Sequence, residues 1–169
     1  MTILVFLASS HTFAQAKKYP TRCSHDQLPQ KLECIEKHLE KKLINCTNDP
    51  HLLDLKYEVK KFYPGQPDIG GYTPKNSEIF YIYTRTIQRD HDHILKKYSK
   101  KYPKAKALEI AAYLSELEIM NIMIHEALHM MGHKHSVGME QKIEELLICA
   151  GEKSVYDYEN NWAKWVYEL

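Results

Sequence analysis

Between Pro103 and Gly132 no residue breaks a helix, and that single stretch constrains the chain more than any other. Ile110, Leu114, Leu117, Met120, Ile124, Leu128 and Met131 recur through it at three- and four-residue steps. The spacing predicts one long helix, from about Lys104 to Met131, with an apolar stripe on one face. Packed on a sheet, that stripe would fix the helix's rotation and aim His125 and His129 off the core wall into a cleft. The methionines read most simply as core filler.

The end of this helix carries the chemistry. His125, Glu126 and His129 stand in H-E-x-x-H order, followed by Gly132 and His135. Successive helical residues turn by about 100°, so positions four apart lie about 40° apart in angle, one turn from each other. The two imidazoles therefore share a face, with a carboxylate beside them. Gly132 is free to take a left-handed conformation, end the helix and let the chain return His135 to the same point. Three neutral imidazoles converging this way make an open site for one zinc ion, with the fourth position left to water. A neighbouring carboxylate, Glu126, is placed to take that water's proton as general base and pass it to a leaving amine.

Every fixed position of H-E-x-x-H-x-x-G-x-x-H, the zinc signature of the metzincin metallopeptidases, is matched by residues 125–135, and over this dozen residues the chain resembles that family. Ser136 is similar to the residue that matrixins carry after their third histidine. The nearest downstream methionine, Met139, stands four residues on, closer than a matrixin methionine turn would stand. The resemblance implies a zinc endopeptidase with His125, His129 and His135 as metal ligands, Glu126 as catalytic base and a protein or peptide as substrate. It further implies a strand beside the helix that pairs with extended substrate, for which Ser77 to Ile87 is the candidate. Thr21 to Asp26 is loosely similar to a matrixin cysteine switch, but a structural disulfide at Cys23 is the preferred reading. Tyr156 or Tyr158 is a candidate for stabilising a tetrahedral intermediate, set against simple packing. In gluzincins a downstream glutamate is the third ligand, so Glu144 or Glu145 competes with His135, whose spacing is already satisfied. Bacterial endoribonucleases of ribosome maturation share the H-x3-H-x5-H spacing but place no glutamate after the first histidine. A non-catalytic, secreted zinc-binding module is the third alternative.

The rest of the chain is read around this site. Residues 1–16 look like a secretory signal peptide, with an apolar run from Ile3 to Ala8 and the Ala14-Gln15-Ala16 cleavage pattern. That run is too short to span a bilayer, and the expectation is export to a periplasmic or extracellular space. Residues 17–169 are then one catalytic domain by length. A net charge of +1 does not point to nucleic acid or membrane surfaces as partners. Cys23, Cys34, Cys46 and Cys149 imply two disulfides of undetermined pairing.

Leucines and isoleucines from Leu28 to Asn45 predict an amphipathic helix, and alternation from Leu53 to Val59 predicts a half-buried strand. Pro64 to Pro74 reads as a loop at the rim of the cleft or on plain surface, and Ser77 to Ile87 as the clearest strand. Within Arg89 to His93, Asp90 is read as a helix cap rather than a metal ligand. The lysines from Lys96 to Lys106 are read as a solvated face. Ile143, Leu146, Leu147 and Cys149 predict a further helix, and Trp162, Trp165 and Leu169 a C-terminal docking helix. The expected fold class is α+β: a small mixed sheet packed on a long zinc-binding helix, with additional N- and C-terminal helices.

Overall fold

The structure is a computed structural model that describes residues 21–23, 27–66 and 69–152. The signal peptide expected at 1–16 and the C-terminal helix expected at 155–169, with Tyr156 and Tyr158, lie outside the described residues.

The architecture is α+β, as expected. Helix α1 (Leu28–Leu43) buries Leu32, Ile35, Leu39 and Leu43, and Lys41 and Lys42 in its last turn complement the helix dipole. A single turn, α2 (Pro50–Leu53), is capped by Asp49, whose side chain accepts from the His51 amide at 2.9 Å. Three short strands follow, β1 (Tyr57–Lys60), β2 (Gly71–Tyr72) and β3 (Phe80–Tyr83). They form one mixed sheet in the order β1-β3-β2. β1 runs parallel to β3, with Tyr57 opposite Phe80. β2 runs antiparallel to β3, with Gly71 opposite Ile82 and Tyr72 opposite Tyr81. Helices α3 (Thr84–Tyr98), α4 (Lys104–Met130) and α5 (Val137–Cys149) complete the described chain.

Helix α4 is the centre of the molecule, contacting α1, α2, α3, α5, β2 and β3. Its apolar surface is broader than a stripe. Ile119, Met120, Met123, Ile124, Ala127 and Leu128 are all fully buried, spread over about half of the helix circumference. Burying a side chain such as Leu117 or Ile124 contributes about 1.5–3 kcal/mol each, so this helix supplies much of the driving force.

Two strand expectations shift. Leu53 closes α2 instead of opening a strand, and β1 is shorter and mostly exposed, with Val59 on an uncovered sheet face. β3 ends at Tyr83 because the chain turns directly into α3, where Ile87, Ile94 and Tyr98 are buried together. Packing of α3 on α4 outranks the β propensity of residues 84–87, and Asp90 lies mid-helix instead of at a cap. The Pro64 to Pro74 stretch contains β2.

The cysteines pair as Cys23–Cys34 and Cys46–Cys149. The first ties the N-terminal segment to α1; the second ties the end of α1 to the end of α5. Glu116, fully buried on α4, accepts from the backbone amides of Arg22 (2.9 Å) and Cys23 (3.1 Å). Lys96, Lys100, Lys101 and Lys104 are exposed, as a solvated face requires.

Candidate metal centre

Helix α4 ends in a Schellman motif. The Gly132 amide donates to the His129 carbonyl (3.0 Å) and the His133 amide to the Leu128 carbonyl (3.0 Å). Gly132 has φ +87°, and an added Cβ would meet nothing within 4 Å. The glycine is therefore required for its backbone conformation and not for space. Ser136 then caps α5 through the Met139 amide at 3.2 Å, so the intervening residues form a tight link that carries His135.

This link brings His135 back to α4. The ring centroids of His125, His129 and His135 are 4.6–5.0 Å apart. One potential ligand atom from each lies within 4.8 Å of the other two. His125 Nε2 and His129 Nε2 are 3.1 Å apart. Two nitrogens bound tetrahedrally at about 2.0–2.1 Å from one ion would stand about 3.3 Å apart. His129 Nδ1 donates to the His133 carbonyl at 2.8 Å, which assigns the ring proton to Nδ1 and leaves the Nε2 lone pair for a ligand. His125 is held neutral at ordinary pH, its pKa lowered to about 4 by burial first and then by His129 and His135. Donor type, tautomer and spacing all fit a cation: these three histidines together can hold a metal ion.

Among the described residues this is the one group of that kind. Glu144 is buried within α5 and Glu145 is exposed beside Lys142 (3.7 Å), so neither joins it. The Arg89 to His93 residues do not converge. Asp90 bonds Arg89 Nε at 2.9 Å, Asp92 bonds Gln88, and His91 Nδ1 meets Ser115 Oγ at 2.9 Å. Cys23 is disulfide-bonded and buried, in agreement with the structural reading of that residue.

The histidines line a cleft of about 730 Å³ whose opposite wall is the segment Ile69 to Ser77. Glu126 also lines it, at 5% exposure. Its Oε2 lies 2.8 Å from Thr73 Oγ1, which is also 2.9 Å from the Glu126 carbonyl oxygen. A hydroxyl carries one proton, so Thr73 donates to one of these oxygens at a time. Burial raises the Glu126 carboxyl pKa to about 7, while the Thr73 hydrogen bonds pull it down.

Strand β2 sits hard against this carboxylate. A Cβ on Gly71 would stand 2.7 Å from Glu126 Cγ, and one on Gly70 would stand 2.7 Å from Ile122 Cδ1. Tyr72 packs edge-on against Tyr63 (5.0 Å), which packs against Tyr83 (5.7 Å), so an aromatic group braces β2 from behind. Sequence reasoning missed Thr73 as the partner of Glu126. It also passed over the paired glycines, whose signal was legible: adjacent glycines at a strand mark close backbone approach.

Compared with protein-family models, with curated proteins and with solved structures, the chain matches none.

Proposed function

We propose that this chain is an exported zinc endopeptidase. The observation that carries the reading is the convergence of His125, His129 and His135 within 4.8 Å at a cleft also lined by the buried carboxylate of Glu126. A zinc ion bound there would supply two things, an acidified water and a Lewis acid for a carbonyl oxygen. His125, His129 and His135 would hold the ion, and the His133 carbonyl orients His129 through Nδ1. The Glu126 carboxylate accepts the proton of the attacking water as the oxygen bonds to the peptide carbon. It then delivers that proton to the leaving nitrogen as the C–N bond breaks. Thr73 orients Glu126, and Gly71 excludes side chains from its surface.

The sheet supports an extended substrate, though not on the strand expected from sequence. β3 is the central strand, paired on both sides by β1 and β2. β2 is an edge strand and lines the cleft, so it is the strand with an edge open to a substrate backbone. Two disulfides support export, and among the described residues no helix is long and apolar enough to cross a membrane.

The test is hydrolysis of casein and of single-stranded RNA by zinc-loaded protein, wild type and Glu126→Ala. Casein cleavage should fall by about 10²–10⁴-fold in the variant while zinc content is kept. RNA loss without casein cleavage, or full casein cleavage by a folded Glu126→Ala protein, would overturn the reading.

A further inference from the structure

Asn121 lies one turn before His125 on α4 and lines the same cleft. It is 7% exposed, and its Oδ1 is buried without a hydrogen-bond partner among the described residues. Of its neighbours one turn away on the same face, Leu117 and Ile124 are apolar and fully buried, and Glu118 and His125 stand beside them. Asparagine is a poor helix former, and a buried acceptor left unpaired costs more than a typical hydrogen bond returns. Neither helix formation nor core packing accounts for a carboxamide at this position.

The surroundings define what can reach it. Positions 121 and 125 lie about 40° apart on the helix, and helical side chains lean over the preceding turn. The carboxamide therefore sits at the end of the cleft beyond His125, away from Gly132 and His135. Facing that end are Ile69 and Gly70, with Ile122 Cδ1 2.7 Å from where a Cβ on Gly70 would stand. The result is a recess walled by Ile69, Gly70, Ile122 and His125, with one buried acceptor left unpaired.

We propose that this recess receives a substrate side chain and that Asn121 Oδ1 accepts a hydrogen bond from it, selecting residues that donate through nitrogen, such as glutamine or lysine. The ligand's being a peptide rests on the peptidase reading; the acceptor and the recess do not. A site built to accept a hydrogen bond discriminates against an isostere that lacks the donor, because the acceptor is then left dry.

The test uses peptides matched in shape at each position flanking the cleaved bond, glutamine against methionine and lysine against norleucine. Zinc-loaded wild type should favour the donor peptides by about tenfold to a hundredfold in kcat/KM. Asn121→Leu should flatten the ranking, and Asn121→Asp should retain it and shift it towards lysine. The same peptides are also titrated by fluorescence anisotropy into zinc-loaded Glu126→Gln protein, with and without Asn121→Leu. A donor preference there that Asn121→Leu removes supports the recess even if the wild type cleaves nothing, an outcome that sinks only the peptidase reading. An unchanged ranking in Asn121→Leu, or equal affinities throughout, overturns the proposal. Weaker zinc binding by Asn121→Leu with the ranking intact also overturns it, by assigning Asn121 to the orientation of His125.

Discussion

Helices α4 and α5 end in the same way and are used differently. Each closes on a Schellman motif around a glycine in the left-handed region, Gly132 at φ +87° and Gly151 at φ +81°, with open space where a Cβ would stand. After α4, the motif presents the His133 carbonyl to His129 and sends half-exposed and exposed imidazoles towards a cleft. After α5, it turns Glu152 inward, where the carboxylate meets Arg22 at 2.8 Å and His38 at 3.2 Å with 1% of its side chain exposed. A disulfide at Cys149 locks the α5 end, whereas no covalent bond holds the α4 end. One backbone device thus serves stability at one end and leaves polar groups available at the other.

The largest effect should come from unlocking the stable end. Cys46→Ser with Cys149→Ser opens a cross-link between residues 103 apart in sequence, which should cost about 4–5 kcal/mol. At about 2–4 °C per kcal/mol, thermal unfolding should fall by about 10–20 °C. A loss of only a degree or two would show that the α5 end does not depend on its cross-link.

At the other end the stabilisation should come from a ligand. Zinc at a hundredfold its Kd should stabilise the protein by about 2.7 kcal/mol in thermal unfolding, reversed by chelator. His135→Ala should lose most of that gain while leaving the metal-free protein nearly unchanged, because His135 is exposed. A full zinc shift in His135→Ala would remove His135 from the ligand set.

The glycines test the shared device directly. Gly132→Ala and Gly151→Ala should each cost about 1 kcal/mol from left-handed strain alone, since neither position is crowded. Isothermal titration should separate them: zinc affinity weakens in Gly132→Ala and stays at the wild-type value in Gly151→Ala. Equal affinities in the two variants would break the proposed division of labour.

The smallest effect is a slope. Glu118, midway along α4, has its carboxyl pKa raised to about 8 by burial first and then by Asp90, with Arg89 opposing. Its folded form holds a proton that the unfolded form releases near 4.5. The associated stability is complete below pH 4.5 and is lost as pH rises to about 8. Glu118→Gln should flatten that part of a denaturant-midpoint profile, and an unchanged slope would show that the proton lies elsewhere.

The long helix, the helix at residues 28–43, the fold class and the return of His135 were legible because each follows from local spacing and a single breaker residue. The pairing of four cysteines depends on which segments meet in space, and no local rule carries it. The end of β3 was misplaced because β-favouring residues continue to Ile87, and the contact that makes them helical comes from α4. Thr73 carries no pattern of its own; it matters because Gly70 and Gly71 let its segment lie against Glu126. Asn121 left a faint trace, as a polar residue in the interior of an apolar helix.

The bond between Cys46 and Cys149 also encloses β1, β2, β3 and the whole of α3 and α4 in one covalent ring. A single cut in any loop inside that ring, such as the glycine- and proline-rich stretch before β2, leaves both pieces on one molecule until a reductant separates them. A nicked chain would therefore migrate as intact on a non-reducing gel and as fragments after reduction. Such a ring turns the first break into a survivable event.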